Sequence, residues 1–191
     1  MGAQGLAEPG ALVPRLVAGG QALAEARNSA DMLALSAARD ADVVAARERV
    51  GALRIWSMAS ATPTSTAVLR LAEPGAVLAD RGFTVTPDGR HAVAGVGREF
   101  MTWDLTSNRS DAPRGPVDGD VLAVTAHAGG EPIAAAGMDG VARVWSMTGV
   151  APLALLRHPA PVRAVAFAPD GRRLATGCDD HVVRIWEPVD D

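Results

Sequence analysis

The sequence predicts an all-β fold, a tandem of small antiparallel sheets, and two observations carry that expectation. Four tryptophans recur at a near-constant interval, Trp56, Trp103, Trp145 and Trp186, with gaps of 47, 42 and 41 residues. A period of about 40–45 residues marks arrays of small sheets, one per repeat. Three of the indoles also end the same short pattern: Leu53-Arg54-Ile55-Trp56, Ala142-Arg143-Val144-Trp145 and Val183-Arg184-Ile185-Trp186. Side chains along a strand alternate between faces, so each arginine shares a face with its tryptophan and the two apolar residues share the other.

The units follow in order. Asp31–Trp56, Asp120–Trp145 and Pro161–Trp186 are each 26 residues long and align without a gap. The first two begin Asp31-Met32-Leu33-Ala34-Leu35-Ser36-Ala37 and Asp120-Val121-Leu122-Ala123-Val124-Thr125-Ala126, and end Trp-Ser-Met. Each unit reads as three strands. In the last, Val162–Phe167 is the first strand, Leu174–Thr176 begins the second and Val182–Trp186 is the third. Pro169-Asp170-Gly171 makes the first turn, with proline pre-setting φ and glycine accepting positive φ. Asp179-Asp180-His181 makes the second. The unit around Trp103 repeats the first turn as Pro87-Asp88-Gly89-Arg90, is one residue shorter in its second turn, and ends Met101-Thr102-Trp103-Asp104. Thr66–Leu71 and Pro152–Arg157 read as fourth strands between units. Asn108–Gly119 is rich in Pro, Gly and Asp, which weakens the case for a strand there. The repeat region is thus 31–191, with units near 31–72, 76–117, 120–157 and 161–188. Residues 1–30 form an N-terminal segment in which Leu12–Val17 resembles a lone fourth strand.

Composition narrows the function classes. The 18 basic side chains are all arginine, and the net charge is −4. An acidic balance argues against a sequence-independent nucleic-acid binder. No run of about 18 apolar residues exists, so no membrane-spanning helix is expected. Met1–Glu8 lacks the basic start and apolar core of a signal peptide. One cysteine, Cys178, excludes an internal disulfide and fits a reducing, cytoplasmic setting.

These residues resemble the WD-repeat (WD40) β-propeller family over roughly residues 31–188, most closely in the last unit. The resemblance implies four blades of four antiparallel strands, and a structural tetrad of His158, Thr176, Asp180 and Trp186. In the family the indole N–H bonds the hydroxyl, the hydroxyl the imidazole, and the imidazole the aspartate. A buried indole and a buried carboxylate each need such partners. The other units depart from the pattern. Ala135 and Ala94 stand where the hydroxyl belongs in the units of Trp145 and Trp103; the first of these keeps Asp139, and the second keeps Asp104, which completes a Trp-Asp pair. Only Trp56 survives in the first unit, with Ala46 and Val50 at the other positions. Family members usually build about seven blades. Four blades leave three resolutions: a piece of a longer protein, two copies pairing into one ring as a homodimer, or self-closure with Leu12–Val17 as the outer strand of the last blade.

Chemical readings of the same residues are weaker. Cys178 and His181 are ligand types three apart, but the tetrad absorbs His158 and Asp180 and the rest cap a hairpin, so no metal is assigned. Ser146 or Thr176 with His158 and Asp180 makes a nominal catalytic set, yet no strained nucleophile turn is present. Gly95-Val96-Gly97-Arg98 opens a strand, not a helix, and is no dinucleotide loop. No cofactor is expected. Arg54, Arg143 and Arg184 read as a solvated strand edge whose stems cover apolar surface, in preference to a phosphate stripe. In proteins resembling this one, partners often dock where loops enter the first strand and where turns follow the second. Here those positions include Arg49, Arg81, Arg98, Met138, Arg163 and Asp179. The expected function is a non-catalytic scaffold for an unidentified protein partner. The alternative is a regulatory or sensor module of a larger signalling enzyme of kinase, peptidase or nucleotide-switch type, as in bacterial proteins that the chain resembles.

Overall fold

Short apolar runs punctuated by glycine and Pro-Asp-Gly turns leave each unit one way to pair its backbone, as an antiparallel meander. The computed structural model describes residues 32–48, 51–59, 64–70, 82–110, 118–149 and 151–188. Blade 1 comprises β1 (Met32–Ala37), β2 (Val43–Glu48), β3 (Ala52–Ser57) and β4 (Thr64–Arg70). Blade 2 comprises β5 (Phe83–Val85), β6 (His91–Val96), β7 (Glu99–Asp104) and β8 (Arg109–Ser110). Blade 3 comprises β9 (Val121–Ala126), β10 (Ile133–Gly137), β11 (Val141–Trp145) and β12 (Ala154–Arg157). Blade 4 comprises β13 (Val162–Phe167), β14 (Leu174–Cys178) and β15 (Val183–Trp186). Strands pair in sequence order within each sheet, and no helix occurs among the described residues. The fold is a β-propeller of four blades.

Two expectations about outer strands change. The Pro- and Gly-rich stretch after Trp103 does hold a fourth strand, but only the two residues Arg109–Ser110, paired with Asp104 and Trp103. Blade 4 has three strands among the described residues, not four. The expected closing strand Leu12–Val17 lies outside the described residues.

Register makes the repeat physical. Thr176 opposes Arg184, Ala135 opposes Arg143, Ala46 opposes Arg54 and Ala94 opposes Met101. One position of the second strand is therefore equivalent in all four blades. A register shift near the start of the first strand also recurs, between Met32 and Ala34 and between Val162 and Ala164. Such a bulge bends a strand and re-aims its side chains.

A sheet of three or four short strands cannot bury two apolar faces alone, so the blades stack. Leu53, Ile55 and Leu69 of blade 1 pack with Phe83, Val85 and Trp103 of blade 2. Val93 and Phe100 of blade 2 pack with Val121, Val124 and Trp145 of blade 3, where the Phe100 and Trp145 rings lie 4.6 Å apart at 53°. Ala136 and Ala142 of blade 3 meet Val162 and Val165 of blade 4. Each blade thus offers a trailing face to the leading face of the next. The first strands converge on one cavity of about 220 Å³, lined by Leu35, Ser36, Phe83, Ala123, Val124, Ala164 and Val165.

The Pro-Asp-Gly turns lock neighbouring blades together. Asp40 N donates to Pro87 O at 2.8 Å, and Val85 N donates to Ser36 Oγ at 3.1 Å. Gly89 (φ 69°) sits so close to blade 1 that a Cβ there would lie 2.7 Å from Ala41 Cβ. Gly171 (φ 70°) does the same against blade 3, where a Cβ would overlap the His127 ring. That ring also packs edge-on against Phe167, with centroids 5.5 Å apart.

Gly171→Ala is expected to lower the melting temperature more than Gly97→Ala. Both glycines have positive φ, but a Cβ at Gly97 meets open space. The backbone cost common to both is about 1–2 kcal/mol, and steric overlap adds to it only at Gly171. Equal losses in thermal melts would refute the packing of this turn on the His127 ring.

Candidate functional site

The last blade holds a hydrogen-bonded chain that begins at its indole. Trp186 Nε1 donates to Thr176 Oγ1 at 2.8 Å, and Thr176 Oγ1 lies 2.8 Å from His158 Nε2. His158 Nδ1 lies 2.9 Å from Leu156 O. A carbonyl only accepts, so Nδ1 carries a proton, and in that tautomer Nε2 accepts the threonine proton. Every polar atom in the chain then has a partner, and Thr176 is buried at 1% exposure. The imidazole and indole rings also pack edge to face, with centroids 5.4 Å apart.

Asp180 is not part of this chain, which corrects the expected tetrad. Arg184 reaches it instead, Nη2 to Oδ2 at 2.6 Å, while Val182 N donates to Oδ1 at 3.1 Å. The Leu156 carbonyl takes the place at Nδ1 that the aspartate was expected to hold. The Arg184 hydrogen bond, opposed by desolvation, holds the Asp180 carboxyl well below the usual carboxylate range. The nominal catalytic set is therefore not assembled, since a triad needs its acid on the base's second nitrogen. Ser146 Oγ lies 3.4 Å from Glu131 Oε2 and 3.1 Å from Thr148 Oγ1. Cys178 Sγ is aimed at Ala160 O, 3.2 Å away. Among the described residues no three His, Cys, Asp or Glu side chains gather around a metal position.

The arginines before the tryptophans are ion-paired, not a solvated edge. Arg143 Nη1 lies 2.5 Å from Asp139 Oδ2, with side chains 11% and 7% exposed. Arg54 Nε donates to Glu48 Oε1 at 2.7 Å, and Glu48 is itself buried. In the last two blades the acid precedes the arginine by four residues across the tight turn, so the pair closes the hairpin. Blade 1 has Val50 at that place and uses Glu48 from β2. It also has Ala46 where Thr176 stands, and its buried Trp56 Nε1 has no hydrogen-bond partner.

In an antiparallel meander the start of the first strand and the turn after the second lie at the same end of the sheet. Arg98 is in the β6–β7 turn, Met138 in the β10–β11 turn, Asp179 in the β14–β15 turn, and Arg163 near the start of β13. These four belong to one rim of blades 2 to 4. Backbone bonds tie the turns to the first strands: Val121 N to Gly97 O at 2.7 Å, Met138 N to Asp120 O at 2.9 Å and Asp179 N to Pro161 O at 2.9 Å. Arg163 grips Asp179 with Nε 3.0 Å from both carboxylate oxygens and Nη2 2.9 Å from Oδ2. That grip holds the Asp179 carboxyl below its ordinary range. Arg98 lies 3.7 Å from Asp118 across a blade boundary, and Met138 is exposed. Arg49 and Arg81 lie outside the described residues.

Comparison with known proteins finds a family match in the last part of the chain. Residues 151–187 match the family model described as WD domain, G-beta repeat. That stretch, from β12 to the end of blade 4, is similar to a WD repeat. The other three units keep the strand plan of the last one, with alanine in place of its threonine hydroxyl. A 30-residue stretch is 60% identical to a ribosome biogenesis protein BOP1 homolog of Leishmania braziliensis, covering 16% of this chain and 4% of that protein. Protein HIR1 of Eremothecium gossypii is 31% identical over 87 residues, 36% of this chain and 10% of that protein. Coronin-7 of Mus musculus is 39% identical over 57 residues, 29% of this chain and 6% of that protein. The chain therefore spans at most 10% of the length of these relatives.

Thr176→Val is expected to cost about 1–3 kcal/mol in chemical denaturation, because it strands the Trp186 indole N–H and removes the partner of His158 Nε2. An unchanged midpoint would remove the hydrogen-bond chain as a source of stability. The Asp180–Arg184 pair predicts an acid signature. A carboxylate whose folded pKa is depressed contributes stability that is present above its unfolded value and lost as pH falls through the folded one. Arg184→Met should therefore be less stable than the natural chain near neutral pH, and the gap should narrow as pH drops below 3.8. A gap of constant size in acid titrations would show that the pairing does not depress the Asp180 pKa.

Proposed function

We propose that this chain is a non-catalytic scaffold whose rim holds a protein partner. One observation carries the reading: the polar groups that might have done chemistry are engaged in holding the blades, while the rim is left to present side chains. Thr176 and His158 are joined to Trp186, and Asp180 to Arg184. The rim instead presents Arg98, Met138 and the Arg163–Asp179 pair on successive blades, at 59%, 45% and 55%/39% exposure. Arginine and methionine are enriched where proteins meet, and a small number of such residues carries most of the energy of a contact. The match to the WD domain family supports the same reading. A buried, unpaired Cys178 is compatible with a reducing, cytoplasmic location. The relatives favour a second reading, a regulatory module within a larger chain, because the matched stretches are small parts of long proteins.

The test compares two baits, the natural chain and a rim variant carrying Arg98→Glu, Met138→Asp and Arg163→Glu. A protein retained by the natural chain and reduced at least about tenfold on the variant, with melting temperature unchanged, is the expected result. Identical retention by both baits would place the contact elsewhere and overturn the rim as the binding surface.

A further inference from the structure

An Asp-Gly step is where a peptide chain rearranges most readily, because glycine has no Cβ to shield its amide nitrogen from the preceding carboxyl group. The sequence holds four: Asp88-Gly89, Asp118-Gly119, Asp139-Gly140 and Asp170-Gly171. Three are locked in tight turns. Gly89, Gly140 and Gly171 have positive φ, of 69°, 74° and 70°. Their N–H groups donate to Thr86 O, Gly137 O and Ala168 O at 2.9, 3.3 and 2.8 Å. Their carboxylates are held as well. Asp88 Oδ1 accepts from Thr86 Oγ1 at 2.6 Å and from Arg90 N at 3.0 Å. Asp139 Oδ1 accepts from Val141 N at 3.0 Å, and its Oδ2 pairs with Arg143. Asp170 Oδ1 accepts from Arg172 N at 3.0 Å. Asp118-Gly119, at the entry to β9, is built differently. The Asp118 side chain is 85% exposed, and among the described residues its carboxylate meets only Arg98, at 3.7 Å. No hydrogen bond from Gly119 N is formed among the described residues. Asp118 N donates to Asp139 Oδ2 at 3.3 Å, which engages neither reacting atom.

We propose that Asp118 is a modification site, at which the folded protein rearranges its own backbone to isoaspartate. Gly119 N forms a bond to Asp118 Cγ and gives up its proton, and one protonated carboxyl oxygen leaves as water. The product is a five-membered succinimide ring. Water then opens the ring at either carbonyl. Opening at the Asp118 α-carbonyl breaks its bond to Gly119 N, frees an α-carboxylate and leaves the chain running through Cβ and Cγ. The composition is unchanged, and water is the only co-reactant. At the other three steps a turn must open first, which slows the reaction in proportion to the small open population. The change falls on the rim of blades 2 and 3. Two residues on, Asp120 O receives Met138 N at 2.9 Å, and Val121 N donates to Gly97 O at 2.7 Å. One extra main-chain carbon just before these bonds displaces the Asp118 carboxylate relative to Arg98 and Met138.

The purified full chain is aged near neutral pH, folded in buffer and unfolded in guanidinium chloride. Both samples are then digested, and isoaspartate is located by peptide mapping with methyl labelling by an isoaspartyl methyltransferase. In the folded chain, label is expected at Asp118 at least about tenfold faster than at Asp88, Asp139 or Asp170. In the unfolded chain all four should be labelled at similar rates. Asp118→Glu should remove the early label from the folded chain, because its ring would need six members. Its melting temperature should be unchanged, because the side chain is exposed. Equal rates at the four steps of the folded chain overturn the proposal. So does label at Asp118 that appears only in the unfolded sample.

Discussion

Everything in this molecule depends on a shortage: no single sheet is large enough to shelter its own apolar residues. A blade of three or four short strands has two faces, and each is dry only when another blade lies on it. The hydrophobic term that holds the protein together is therefore generated between blades. The hydrogen bonds within each meander set register and direction, and contribute little net energy apiece. Much of the contact is made by small side chains, with Ala45, Ala92, Ala94, Ala136 and Ala142 in the buried clusters. Sheets spaced by alanine come close together, and the few large groups, Trp103, Phe100 and Trp145, fill what remains.

The polar interior obeys the same economy. Each tryptophan brings an indole N–H into the protein, and in the last blade the Thr176 hydroxyl receives it. Blade 1 has alanine there, and the Trp56 N–H is left without a partner. The blades thus differ in the quality of their internal bonding although they share one backbone plan. The arginine–carboxylate pairs contribute differently. They clamp the hairpin beside the tryptophan and keep a charge satisfied where the strand is partly covered, which matters because an unpaired buried charge is costly.

How much of this the sequence disclosed follows from the range of the interactions. Tryptophan spacing and Pro-Asp-Gly turns are local and periodic, and they placed Val162–Phe167 as β13 with the same bounds. The strand after Trp103 was obscured because its pairing partners override an unfavourable composition. The pairing of Arg143 with Asp139, and of Arg184 with Asp180, had a visible signal in the four-residue spacing. Reading the strand as alternating faces hid it, because the acid lies in the turn and folds back. The family resemblance led to His158, Thr176 and Trp186 as a connected set, but it put Asp180 on the imidazole. The nearer guanidinium and the Leu156 carbonyl decide that competition, and neither is evident without coordinates.

The close approach of Gly171 to His127, and of Gly89 to Ala41, has a consequence for how such a chain lengthens. In both cases the later blade reaches back to grip the earlier one, so blades 2 and 4 each bring a fastening of their own. A gene duplication that adds one whole unit inserts a complete joint and disturbs neither neighbour's geometry. Loss of a whole unit is equally clean.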